Sequence, residues 1–216
     1  MNRHSIVKGK LICVALNDSE QLSAMQQEFS EAPYKAPPTQ PVLYFKPHNT
    51  WNTQAATIDW PSTGGPLYVG ASLAVVVATK CTRVSAEQAL EYVAGFSILH
   101  DFSLQEKSYY RPDIKGKCLD GTAPLGAKVT PIDQVSDLSA LSVITEVNGE
   151  LASEFPLSQM QRSVPELISS ISYIMTLEPG DVIAVGFKGE RILLNKGDKV
   201  CSAIAGVTEL SNQVAG

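Results

Sequence analysis

Residues 66–80, PLYVGASLAVVVATK, set the tightest limit on what this chain can become. Three consecutive valines and no backbone breaker after Pro66 favour an extended chain, because β-branched side chains pack well on a pleated surface. Both alternating sets of side chains are apolar or small, so the strand needs cover on both of its faces. A central strand is predicted, and the remaining elements have to be arranged around it.

The other segments supply that cover. LICVAL (11–16) has the length of a buried strand, and Asn17, Asp18 and Ser19 then cap a segment in which Leu22, Met25 and Phe29 recur at helical spacing. The proline-dense tract 32–41 reads as a surface connector leading into the strand VLYFKP. Ser85 and Gln88 form a capping-box pattern, and Ala89, Tyr92, Val93 and Phe96 mark a helical stripe packed on the sheet. Residues 141–155 are two β-patterned runs around Asn148-Gly149, the pair suited to a two-residue hairpin. Ser163-Val164-Pro165-Glu166 opens a further helix, and DVIAVGF, ERILL and KVCSAIAGV add short strands. Strands outnumber helices and join mostly through tight turns, which predicts an α+β class: a β-rich mixed structure carrying two or three packed helices. No repeat or linker divides residues 1–216, so one domain is expected, with residues 1–10 as a poorly ordered N-terminal extension.

Composition excludes several functions. The 17 basic and 22 acidic residues give a net charge of -5 with no cationic run, against a nucleic-acid partner. The longest apolar run, 73–78, is far short of the roughly 20 residues that span a bilayer, so no membrane segment is expected. Cys13, Cys81, Cys118 and Cys201 show no paired spacing, which reads as reduced thiols in a cytoplasmic protein. His4, His48 and His100 lack zinc-ligand spacing, and neither a serine nucleophile elbow nor a phosphate loop is present.

What remains is residues 100–126, HDFSLQEKSYYRPDIKGKCLDGTAPLG, too polar for a core strand and too broken for a long helix. Asp101 follows the apolar run GFSIL, where a carboxylate at a strand end can face a cavity. Lys117 and Asp120 lie on the following loop, and Tyr109, Tyr110 and Arg111 offer hydroxyl and guanidinium donors suited to a carboxylate-bearing ligand. The competing reading of this cluster is a set of solvated loop charges.

In order, the chain contains VALN, FKPHNT, a long β run ending in lysine, EYVAGF leading into HDFS, KGKCLDGTAPLG, EVNGE and TLEPGDVIAVG. That ordered set resembles the fumarylacetoacetate hydrolase family of metal-dependent enzymes acting on oxo acids. YKAPP, KPHNT and the run from Ser103 through Tyr110-Arg111-Pro112 to Asp120-Gly121 are similar to one branch, the N-terminal half or subunit of the 4-hydroxyphenylacetate (homoprotocatechuate) isomerase/decarboxylases. The resemblance implies a mixed β-roll or sandwich and a magnesium or manganese ion held by a Glu-x-Glu pair and an Asp. Residues two apart on a strand share a face, so such a pair aims two oxygen donors at one ion.

Carried over by position, the Asp ligand is Asp101 and the substrate-contacting lysine is Lys117. Tyr110, Arg111, Ser103, Asp120 and Gly186 fall on substrate-binding positions. Gly70 and Ser72 stand where the two glutamates belong, so the resemblance implies weak or absent metal binding by this chain alone. Gln21 replaces a histidine base, Gln105 an arginine, and Gly186-Phe187-Lys188 a Gly-Thr-Pro turn. Three functions are then open. The chain is an N-terminal-type subunit of an isomerase/decarboxylase for unsaturated oxo-di- or tricarboxylic acids, as a homodimer or paired with a metal-bearing homologue. Alternatively it is a non-catalytic small-acid-binding or scaffolding homologue, or a divergent metal-dependent hydrolase or decarboxylase using Glu106 or Asp120.

Overall fold

The computed structural model describes residues 6–62 and 65–216. His4 and the first five residues of the expected N-terminal extension lie outside them; within the rest of that extension, Val7 is buried and Lys8 N–H donates to Gly180 carbonyl (3.0 Å). The architecture is α+β and strand-rich, built on a nine-stranded and a five-stranded sheet among the described residues.

The strand Leu67–Val77 is central, as its composition requires. It pairs antiparallel with Val93–Ser103 on one side and with Val182–Ala184 on the other, and Ile192–Leu194 extends the pairing at its N-terminal end. Strand alternation divides its side chains cleanly. Ala71, Leu73, Val75 and Val77 enter a core shared with Ile168 and Ile171 of the helix Val164–Ile174 and with Phe155, Ile204 and Leu210 of the five-stranded sheet. Ala74 and Val76 face the opposite way, against Leu11, Trp51 and Leu99. Each fully buried Val, Leu or Ile side chain contributes about 1.5–3 kcal/mol, so both faces supply driving force for folding.

Local signals elsewhere act as read. Asn148 and Gly149 take φ angles of 55° and 84° between the strands Ser142–Val147 and Glu150–Pro156, giving the expected hairpin. Ser163 and Glu166 form the capping box of the helix Val164–Ile174, with proline in its first turn. The expected first helix is two short ones, Ser19–Ala24 and Gln26–Ser30.

The helical stripe expected from Ala89 to Phe96 is not there. Only Ala89–Tyr92 forms a short 3-10 turn, and Val93 begins a strand that runs to Ser103. The pairs Val75↔Phe96 and Val77↔Val93 continue the central ladder; a helix at these positions would strand the backbone donors and acceptors of Leu67–Val77 in an apolar interior. Pairing of the sheet outweighs an apolar spacing that suits either structure.

Two consecutive residues of this strand are polar and buried, and they point opposite ways. His100 faces the five-stranded sheet, where Nδ1 meets Asn212 Oδ1 (3.0 Å) and Nε2 meets Ser202 Oγ (2.8 Å). Asp101 faces the other layer, and the candidate site is assembled around it.

Candidate functional site

Three other stretches of chain converge on Asp101, which is 1% exposed. Tyr44, on the strand Val42–Phe45, donates its hydroxyl to Asp101 Oδ2 (2.5 Å). Lys46 follows that strand directly, and the Pro47 after it disfavours a helical backbone there. Its ammonium is buried, 2.6 Å from Asp101 Oδ1, and also donates to the carbonyls of Phe102 and Lys117 (2.8 Å each). Arg191 precedes the strand Ile192–Leu194; its Nη2 donates to Asp101 Oδ2 (2.5 Å) and its Nη1 to the Asp101 carbonyl (2.6 Å). The guanidinium lies 4.2 Å over the Phe187 ring.

Lys117 completes the cluster. It ends a single helical turn, Ile114–Lys117, which Asp113 caps by accepting from Gly116 N–H (2.8 Å). Its ammonium pairs with Glu106 and stands 4.6 Å over the Tyr44 ring. Lys46, Lys117 and Arg191 face Asp101 and Glu106, so the buried cluster carries one surplus positive charge.

These charges set the protonation states. Burial alone would raise the Asp101 pKa, but the charges of Arg191, Lys46 and Lys117 outweigh it and hold the carboxyl well below the usual carboxylate range. Burial and the neighbouring Arg191 lower the Lys117 pKa against the pull of Asp101 and Glu106. Burial pushes the Cys13 thiol up to about 12, so it is a protonated core residue.

Beside this cluster opens a cleft of about 580 Å³, lined by Val42, Tyr44, Glu106, Tyr109, Arg111 and Lys117 among others. Tyr110 sits on its rim, 55% exposed. The proline-dense tract does more than connect: Tyr34 accepts from Tyr109 N–H (2.8 Å), and its ring packs edge-on against Tyr110 with centroids 6.0 Å apart. Gln21 donates to Tyr109 hydroxyl (2.9 Å) and so helps position the cleft wall.

The structure thus brings together Asp101, Lys117, Tyr110 and Arg111 from the sequence reading, but does not place the others beside them. Asp101 is enclosed among cations and a hydroxyl, and does not itself line the cleft. Ser103 is buried and donates to the Leu104 carbonyl (3.0 Å). Asp120 accepts from Asn49 Nδ2 (2.6 Å) and ties the loop to residues 48–50. Gly186, at φ 113°, passes close to Asn17, and its N–H donates to Ser72 Oγ (3.2 Å), a backbone role. Lys46 and Arg191 are the functional residues that sequence reasoning missed. FKP carried a signal, since a lysine held between an apolar strand and a proline is well placed to turn inward; Arg191, at the start of a short strand, carried none.

A divalent cation at Asp101 would need oxygen donors, about six for a hard ion. The groups found on its carboxylate are an ammonium, a guanidinium and a hydroxyl that donates, while Gly70 and Ser72 bring no charge. Among the described residues no three His, Cys, Asp or Glu side chains are grouped to hold an ion. The residues present do not fit the metal that the resemblance implied.

Comparison with known proteins places this architecture. The family model described as fumarylacetoacetate (FAA) hydrolase C-terminal matches residues 10–215. The chain is 40% identical over 208 residues to a 4-hydroxyphenylacetate degradation bifunctional isomerase/decarboxylase of Salmonella dublin, covering 96% of this chain and 47% of that protein. It is 30% identical over 209 residues to a mitochondrial oxaloacetate tautomerase of Bos taurus, covering 94% and 90% respectively. Among solved structures, a 5-carboxymethyl-2-hydroxymuconate delta-isomerase from Mycobacterium smegmatis superposes with a TM-score of 0.83 at 26% identity, covering 97% of this chain and 78% of that one. A fumarylpyruvate hydrolase from Pseudomonas aeruginosa, solved with Mn2+ and pyruvate, gives 0.81 at 25%, covering 96% and 89%. The chain spans about half the length of the isomerase/decarboxylases it matches. With its ordered motifs, its two sheets and its matched length in agreement, the chain belongs to the fumarylacetoacetate hydrolase family.

Proposed function

We propose that the chain is one subunit of an isomerase/decarboxylase acting on unsaturated oxo-di- or tricarboxylic acids of aromatic (4-hydroxyphenylacetate) catabolism in the cytoplasm. In this reading it pairs with a homologous chain that carries the Glu-x-Glu metal ligands, while its own metal site is degenerate. The observation that carries it is the 40% identity along 96% of the chain to one half of such an isomerase/decarboxylase, combined with a cleft whose buried lysine suits an acidic ligand. Lys117 would bind a ligand carboxylate in exchange for Glu106, Arg111 and Tyr109 bound the cleft, and an ion held by the partner's glutamates would supply Lewis-acid polarisation of the oxo acid.

Reconstitution tests this. The purified chain is mixed with a homologue bearing both glutamates, and turnover of unsaturated oxo acids is followed with association. A complex with raised turnover is expected, and Lys117→Gln in this chain lowers it. Absence of both association and any change in turnover rejects the subunit reading.

A second reading, a non-catalytic acid-binding or scaffolding homologue, draws on Phe187, whose ring covers Gly70 where a ligand glutamate would stand. A carboxylate that binds the isolated chain with no partner effect on any turnover favours it.

A further inference from the structure

The Asp101 pocket is closed to a metal ion by more than two missing acids. On the central strand Gly70 lies opposite Asp101, and the register Ile192↔Val69, continued by one residue, brings Arg191 opposite Gly70 from the other side. Arg191, Gly70 and Asp101 therefore lie in one row across the sheet, and the missing side chain in the middle lets the outer two meet. Phe187 fills the space above the glycine: a Cβ at position 70 would lie 2.6 Å from its Cγ and 2.8 and 2.9 Å from its ring carbons. At position 72 the serine hydroxyl is committed to the backbone, donating to the Leu73 carbonyl (2.9 Å) and accepting from Gly186 N–H.

We propose that Arg191, braced on Phe187 and assisted by Lys46, is a built-in replacement for the divalent cation, so that this subunit's site is metal-independent and takes an anion. The assignment does not depend on which assembly the chain joins. A guanidinium is always charged and offers its donors in one plane, which lets it hold both the carboxylate and the main-chain carbonyl of Asp101. Unlike an ion, it cannot dissociate. An incoming metal would meet Lys46 and Arg191 already on the Asp101 carboxylate, with Lys117 held nearby on Glu106. The buried Nε–H of Arg191 has no acceptor, a donor left over that suits an anion and opposes a cation. Lys117, paired with Glu106, lines the cleft, and the surplus positive charge lies behind it on Lys46 and Arg191, so the ligand class is a small carboxylate held without a bridging ion.

The test is a titration of the chain with Mn2+ alone, read by calorimetry and by the electron paramagnetic resonance spectrum of the ion, on the wild type, on Asp101→Asn and on the fourfold variant Gly70→Glu/Ser72→Glu/Phe187→Ala/Arg191→Ala. The wild type is expected to leave the spectrum that of free aqueous Mn2+, and the fourfold variant to bind one ion. Weak wild-type binding that survives Asp101→Asn lies elsewhere and agrees with the proposal. Stoichiometric wild-type binding that Asp101→Asn abolishes overturns it, as does a folded fourfold variant that still ignores Mn2+. Should the fourfold variant not fold, the wild-type and Asp101→Asn arms decide the matter.

Discussion

His100 and Asp101 are neighbours on one strand, both almost fully buried, and the chain satisfies them by opposite means. His100 meets neutral partners, Asn212 and Ser202, with Thr145 adding a further hydroxyl at 2.9 Å from Ser202. Burial holds its pKa down to about 4, so it is an uncharged polar rivet between the two sheets. Asp101 meets formal charges, Lys46 and Arg191, and stays ionised. Alternation along the strand sends one residue to a sealed interface and the other beside a cleft. A neutral network suffices where only packing has to be specified; a charged one, costly to desolvate, is found where the surroundings can engage a ligand.

The largest effect that would sharpen this contrast is expected from Asp101→Asn. Removing one charge leaves two buried cations unmatched, and a loss of about 3–5 kcal/mol in urea unfolding is expected. A loss below about 1 kcal/mol would mean the cations relax to water and the ionic side of the comparison fails. Next in size is the response to acid. The unfolded chain protonates a histidine near pH 6.5 whereas native His100 resists until about pH 4, so stability is lost as pH falls between them, by about 2 kcal/mol at pH 5. His100→Gln should flatten that part of the profile. Asp101 acts lower: its native pKa is depressed, so its contribution is full above the unfolded value near 4 and is lost only as pH falls below it. Two separate limbs in an acid-unfolding series are the expected outcome, and one limb common to wild type and His100→Gln would break the assignment. The smallest effect is Tyr44→Phe, which removes one hydroxyl from a carboxylate that keeps both cations; about 1–2 kcal/mol is expected. Because the ring that carries Lys117 is kept, ligand binding in the cleft should change little.

The sequence showed one side of this contrast better than the other. The strand bearing both residues was half visible: GFSIL read as a strand, but the spacing before it also fits a helix, and only the ladder with Leu67–Val77 decides between them. Lys117 and Asp101 were legible because acids, bases and aromatic residues crowd into one polar stretch. Their partners were not, since Lys46 and Arg191 arrive from positions 55 and 90 residues away and no local pattern reports such a meeting. Neutral residues at 70 and 72 read as an incomplete cation site; in the folded chain the same glycine is what allows Phe187 and Arg191 to close over the strand. Ser103 and Asp120 entered the site through the resemblance, whereas one is buried with its hydroxyl on the Leu104 carbonyl and the other braces a turn.

The central claim, that Asp101 is held as an anion by cations of its own chain, is tested most directly by carbon-13 NMR of aspartate side-chain carboxyl groups, with Asp101→Asn identifying the resonance. With no metal added, the Asp101 carboxyl signal is expected at its ionised position at neutral pH and unchanged down to the onset of acid unfolding. A signal that titrates at or above the ordinary aspartate value, or that moves when Mn2+ is added, would contradict the account.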